Sequence, residues 1–195
     1  MTTMPPIVLA SGSQYRAELL RKLHLDFAIH GSNIDEAARN GEAAESLAMR
    51  LSQAKAHALS SFYPNHLIIG SDQVAVCGGE ILNKPGNREL VIRQLKLQSG
   101  QAVRFYTGIC VLNSGNGQSL SDIDICTVHF KTLNDRQIER YVDLEQPFDC
   151  AGSFKSEGLG IALFTRIDAP DPNALIGLPL IKLIALLARF GVEIG

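Results

Sequence analysis

The segment Leu67-Ile68-Ile69-Gly70-Ser71-Asp72-Gln73 constrains the fold more than any other stretch of the chain. Its first three residues are continuous and apolar, so His66 to Val76 reads as a central strand covered on both faces. An aspartate within or just past such a strand is costly to bury without a metal, a cation or a hydrogen-bond partner. Strand ends in α/β sheets are also where ligands tend to sit. Asp72 is therefore either a functional carboxylate or a structural one with a dedicated partner.

The pattern on either side of that strand alternates. Ile7-Val8-Leu9-Ala10 reads as a buried first strand, and Ser11 to Ser13 turn the chain into a helix with Ser13 as N-cap and an apolar stripe of Leu19, Leu20 and Leu23. A second helix is expected from about Glu42 to Ser60, with Leu47, Leu51, Ala54 and Ala58 at helical spacing. A third runs from about Arg88 to Leu97, stopped near Gly100. Gln101 to Leu112 and Ser119 to Phe130 read as two strands of a hairpin turned at Asn113-Ser114-Gly115-Asn116-Gly117. Asn134 and Gln137 form a capping box for another helix, Gly160 to Ile167 is a further strand, and Pro179 suits the first turn of a final helix. Strands alternate with helices until the hairpin breaks the order, which predicts an α/β fold with a mixed sheet. No repeat, low-complexity tract or linker is visible.

Composition narrows the partners. The chain has 195 residues, 46% of them apolar, enough for one substantial domain or one domain with two lobes. A formal charge of -2 argues against a broad electrostatic footprint for a nucleic-acid polymer, while leaving room for a local cationic pocket. The expected partner is a small molecule. Cys77, Cys110, Cys126 and Cys150 are widely spaced and fit neither a zinc site nor a disulfide scaffold, so reduced, partly buried thiols of a cytoplasmic protein are expected. Met1 to Ile7 has neither a basic start nor a long apolar stretch, so no secretory signal is expected. Leu178 to Phe190 is apolar but short and interrupted by Lys182, which reads as a buried C-terminal helix rather than a membrane span.

Two groups of residues could carry chemistry. Ser11-Gly12-Ser13-Gln14-Tyr15-Arg16 places two hydroxyls, helix-start N–H groups and a guanidinium where a phosphate would fit; the same residues also suit an ordinary capped helix. Ser71-Asp72-Gln73 follows the apolar run of the central strand, and Asp35-Glu36 stands in a loop before the second helix, where a carboxylate alone is more often solvated surface than a metal ligand. Lys55 should sit beside the core-facing side of its helix, and Lys84-Pro85 lies in a turn. Either lysine could snorkel, yet with Arg16 they supply the cations a triphosphate requires. Asp122-Ile123-Asp124 resembles the start of a phosphatase motif, but it lies deep in the chain on a hairpin strand and reads as a solvated strand face. Gly115-Asn116-Gly117 lacks the G-K-[ST] of a phosphate loop, and none of the five histidines has a metal-binding spacing.

The ordered succession of Leu9-Ala10-Ser11-Gly12-Ser13 through Arg16, Asp35-Glu36, the Lys55 helix, Ile69-Gly70-Ser71-Asp72-Gln73, Lys84-Pro85, Tyr106-Thr107-Gly108 and Gly177-Leu178-Pro179 resembles the Maf family of nucleotide pyrophosphatases over nearly the whole chain. Cys150 to Gly158 and Asp171 to Leu180 are similar to the family's 7-methyl-GTP-cleaving branch, which often has tryptophan where Tyr15 stands. The resemblance implies one domain over residues 1–195 with a Maf/ITPase-like α/β fold: an elongated mixed β-sheet, two lobes and a central cleft. It implies hydrolysis between the α- and β-phosphates, helped by Mg²⁺ or Mn²⁺ held by Asp72 and Glu36. Asp72 would orient or deprotonate the attacking water. Ser11, Ser13, Arg16, Lys55 and Lys84 would bind the phosphates, and Tyr15, Gln73 and Glu157 would select the base. A homodimer is implied by analogy. Cleavage of dTTP and UTP or of a broader nucleotide set is one alternative, and a nucleotide-sensing regulator of cell division that does not cleave is another.

Overall fold

A computed structural model describes residues 4–194; Met1, Thr2 and Thr3 of the N-terminal segment considered above, and Gly195, lie outside the described residues. The chain forms β1 (Ile7–Leu9), α1 (Gln14–Arg21), β2 (Phe27–Ile29), α2 (Ala44–Ala58), β3 (Leu67–Cys77), β4 (Glu80–Leu82), α3 (Arg88–Gln98), β5 (Ala102–Asn113), β6 (Ser119–Phe130), α4 (Asp135–Glu145), β7 (Phe164–Asp168), α5 (Pro172–Ile176) and α6 (Leu180–Ala188). The strands join one mixed sheet in the order β2-β1-β3-β5-β6-β7, with β4 also pairing β3. β1 is parallel to both β2 and β3, aligning Leu9 with Ile29 and Ile69. β4 pairs antiparallel with β3, and β7 with β6. The mixed α/β sheet expected from the alternating pattern is present.

The chain divides into two compact units. The first comprises the chain up to Asp72, Thr107–Asp124 and the chain from Asp171 onward. Its core is aliphatic: Ile7, Leu9, Leu20, Leu67, Ile69, Ile109, Leu178, Leu183 and Leu187 are buried together. Three buried side chains of α6, Leu180, Leu183 and Leu187, explain the apolar C-terminal segment, while Ile181 on its other side is exposed. The second unit comprises Gln73–Tyr106 and Ile125–Pro170. It is organised around four phenylalanines, Phe105, Phe130, Phe154 and Phe164, which meet edge to face at centroid distances of 4.7–5.6 Å.

Most element ends follow local chemistry. Ser13 caps α1 by accepting from Arg16 N, and the Asn134–Gln137 capping box of α4 is complete in both directions. α2 starts two residues later than the periodicity predicts, because the Glu42 carboxylate is taken by Arg50 and by the backbone N–H of Arg39. The strand expected from Gly160 begins only at Phe164. Leu159–Leu163 is a tight 3-10 turn instead, packed so closely that a Cβ on Gly160 would stand 2.2 Å from Lys155 O. The short β2, β4 and α5 carry too few periodic residues to be read from the sequence. All four cysteines are free, three of them buried. Among the described residues no helix is long and apolar enough to cross a membrane.

Candidate active site

In the first unit, Asp72 is 7% exposed on β3, and its burial is compensated by a cation: Lys55 Nζ donates to Asp72 Oδ1 at 2.6 Å. Lys55 does not lie beside the buried face of α2 but within it, at 6% exposure, alongside Leu51, Ser52 and Ala56. The same ammonium meets Glu36 Oε1 at 2.7 Å, although the Glu36 side chain is half exposed on its loop. One lysine thus gathers both candidate metal-binding carboxylates.

Two glycines make this approach possible. A Cβ at Gly70 would stand 2.1 Å from Ser52 O and 2.8 Å from Ala56 N. At Gly108 it would stand 2.4 Å from Ala48 O. With neither side chain present, the α2 backbone settles directly on β3 and β5, and Lys55 reaches Asp72 from above the sheet. Any larger residue at either position would lift the helix and lengthen the ion pair.

Arg16, one turn into α1, donates from Nε to Gly177 O at 2.8 Å and from Nη1 to Ser11 Oγ at 3.3 Å. Burial lowers the pKa of its guanidinium, and the nearby charges of Asp72 and Glu36 oppose that shift, which places the arginine in the field of both carboxylates. Gly177 is a junction. It closes α5 with a φ of 119°, which favours glycine, and its carbonyl also accepts from Ser71 Oγ at 2.9 Å. Ser71 Oγ lies 2.8 Å from Gly108 O as well. Thr107 Oγ1 donates to Ala174 O, and the buried Asp171 accepts from Asn173 N and Ile181 N, fixing the starts of α5 and α6. Reading the sequence missed these supports. Thr107, Gly108 and Gly177 lie in the quoted motifs, but their roles are contacts that a linear pattern does not encode.

The remaining candidates are placed differently. Ser11 is buried and accepts from Ser13 N at 3.2 Å; Ser13 and Tyr15 are half-buried at the start of α1. In the second unit Gln73 is half-buried on β3, whereas Lys84 and Glu157 are exposed. Glu157 accepts from Ser156 Oγ at 3.4 Å. Its loop is anchored on both sides: Tyr141 Oη accepts from Lys155 N, Lys155 Nζ donates to Glu145 O, and Glu145 Oε1 accepts from Leu159 N.

One reading is corrected. Asp124 is not on a solvated strand face; it is 2% exposed, and its Oδ1 has no hydrogen-bond partner among the described residues. Burial raises its pKa, which Lys182 opposes. The neighbouring Asp122 does face a cation, accepting from Lys182 Nζ at 2.8 Å.

The donor set suits a hard divalent cation of the magnesium type. Such ions take oxygen ligands, and often use one or two protein carboxylates with phosphate and water completing the shell. Asp72 and Glu36 are two carboxylates sharing one neighbour, and no group of three or more acidic, histidine or cysteine side chains that could form a full protein cage exists among the described residues.

Comparison with solved structures defines the class first. The Staphylococcus aureus Ham1 protein superposes with a TM-score of 0.50 at 16% identity, over 94% of this chain and 98% of that one. A HAM1 protein from Coxiella burnetii gives 0.53 at 14% identity, over 95% and 100%. At these identities the likeness is one of fold alone. The Maf-like protein family matches residues 6–190, and the chain belongs to that family. It is 53% identical over 190 residues to the 7-methyl-GTP pyrophosphatase of Alcanivorax borkumensis, covering 97% of this chain and 96% of the relative. It is 51% identical over 191 residues to the 7-methyl-GTP pyrophosphatase of Pseudomonas aeruginosa, covering 98% and 100%.

Proposed function

We propose that the chain hydrolyses 7-methyl-GTP to 7-methyl-GMP and pyrophosphate, working as a single nucleotide pyrophosphatase domain. The observation that carries the proposal is the Lys55 ammonium bonded to both Asp72 and Glu36, with the Arg16 guanidinium in the field of the same carboxylates. A binder that did not cleave would have little use for a buried carboxylate held this firmly. Full-length relatives named for the 7-methyl-GTP activity favour that substrate over dTTP, UTP or a broader set.

Asp72 is the group that orients and deprotonates the attacking water, and the hydrogen bond from Lys55 fixes its Oδ1. Asp72 and Glu36 would hold Mg²⁺ or Mn²⁺, which when bound stabilises negative charge on the leaving pyrophosphate. Arg16 and Lys55 neutralise phosphate oxygens, Lys84 adds a third cation, and Ser11 and Ser13 orient the phosphates. Methylation at N7 makes guanine cationic, so the Tyr15 ring gains about 0.5–2 kcal/mol by facing it. Glu157 accepts from the N1 and N2 donors of guanine and offsets the added charge, and Gln73 completes base selection. The enzyme is proposed to work in the cytoplasm on free nucleotide, as a homodimer.

The test is incubation of purified protein with 7-methyl-GTP, GTP, dTTP and UTP, with and without Mg²⁺ or Mn²⁺, and identification of the products. Metal-dependent pyrophosphate release that favours 7-methyl-GTP is expected. Preference for dTTP and UTP would overturn the base assignment, and binding without cleavage would replace the enzyme with a nucleotide sensor.

A further inference from the structure

Glu36 stands on the loop between β2 and α2, outside any helix or strand, with its side chain 51% exposed. A carboxylate so placed needs something to hold its backbone if it is to meet Lys55 reproducibly. Arg50 of α2 supplies that support. Its Nη2 donates to Ala37 O at 3.0 Å, one residue beyond Glu36. Its fork closes on Glu42 through Nε–Oε1 at 2.7 Å and Nη2–Oε2 at 2.8 Å. Glu42 Oε2 in turn accepts from Arg39 N at 2.9 Å, and Asp35 Oδ1 accepts from Ala37 N at 2.9 Å. One guanidinium therefore ties down both ends of the segment from Ala37 to Glu42.

The pair is well shielded, with side-chain exposures of 22% for Arg50 and 9% for Glu42. Arg50 and Lys55 belong to the same helix, separated by a rise of about 7.5 Å. α2 thus carries both the ammonium and the clamp that delivers a carboxylate to it. The planar fork engages both Glu42 oxygens and Ala37 O at once, a geometry that the point charge of a lysine ammonium does not reproduce.

We propose that Arg50, through its pair with Glu42, is a positioning residue that sets the place of Glu36 and acts on the reaction through it. The inference rests on the reading of Glu36 as a site carboxylate. Its test is a double-mutant cycle on 7-methyl-GTP hydrolysis using Arg50→Met, Glu36→Gln and the double variant, with Arg50→Lys alongside. Hydrogen–deuterium exchange over residues 35–42 gives a readout independent of turnover.

Arg50→Met should lower kcat/KM on the order of 10- to 100-fold, the scale of a misplaced active-site group. Arg50→Lys should lose most of the same activity. In the Glu36→Gln background Arg50→Met should cost less than about twofold, because coupled residues are not additive. The amides of Ala37 and Arg39 should exchange faster while those of β1 and β3 do not. Losses that multiply in the double variant, or unchanged exchange over residues 35–42, would overturn the proposal. Full activity in Glu36→Gln would instead remove the assignment of Glu36, and the positioning role with it. Should Arg50→Met fail to fold, Glu42→Gln breaks the same pair and should show the same lack of additivity.

Discussion

In the first unit, the charged candidate residues are already engaged: Asp72 with Lys55, Lys55 with Glu36, Arg16 with Ser11 and the Gly177 carbonyl. In the second unit, Glu157 is exposed on a loop that the Tyr141 and Glu145 side chains keep in place, and Lys84 is exposed between β4 and α3. The difference between Asp72 and Glu157 matches the two tasks proposed for them. Groups that act on a phosphoanhydride must be oriented before the substrate arrives, because reorganisation during the reaction raises the barrier. Groups that choose a base need only be presented at the right place, and exposure costs them little.

The contrast can be broken most severely at Asp72. Asp72→Asn should lower turnover on the order of 10²–10⁴-fold, the usual worth of a positioned acid–base group. Its effect on stability should stay below the roughly 3–5 kcal/mol of a stranded buried charge. The reason is that Glu36 still meets Lys55 at 2.7 Å. Steady-state kinetics together with thermal melting would check both halves. An active Asp72→Asn protein would strip the first unit of its proposed chemical role.

A smaller and more selective effect is expected in the second unit. Glu157→Gln should reduce kcat/KM for 7-methyl-GTP about 10-fold, near the lower end for a charge-assisted hydrogen bond, because the residue is exposed. GTP cleavage should fall less, since its base lacks the methyl-induced charge. Measuring both substrates with the same protein decides the matter: equal losses would mean that Glu157 does not answer the added charge of the methylated base.

The least effect concerns the Arg50–Glu42 pair at the start of α2. Hydrogen bonds from the Arg50 side chain and then from Arg39 N hold the Glu42 carboxyl down from 4.5 to about 2. A folded pKa below the unfolded one gives a stabilising contribution that is complete above the unfolded value and disappears as the pH falls toward the folded value. Glu42→Gln should therefore melt below the parent protein at pH 6, and the gap should close between about pH 4.5 and pH 2. Melting curves across that range would show it; a gap that widened in acid would contradict the sign.

Much of this architecture is legible in the sequence. The alternation of apolar runs with helical periodicity placed β1, α2, β3, α3, β5 and β6, because each is long or apolar enough for its period to show. Asp72 stood out for the same reason: a carboxylate on a buried strand demands an explanation. The short β2, β4 and α5 did not show, having too few residues to express a period. The burial of Asp124 is not legible either, because nothing local reveals which side of a hairpin strand other elements will cover.

The order of the longer elements, the buried central strand and the capped helix starts follow from residues close together in the chain, and the ordered run of short motifs marks the Maf family. The tertiary structure decided which partners those residues meet. Lys55 lies 17 positions from Asp72, and Arg16 lies 161 from Gly177. Those contacts exist because Gly70 and Gly108 let α2 settle on the sheet and because the turn at Gly177 points its carbonyl back at α1. Close packing of whole elements, rather than local propensity, sets such distances.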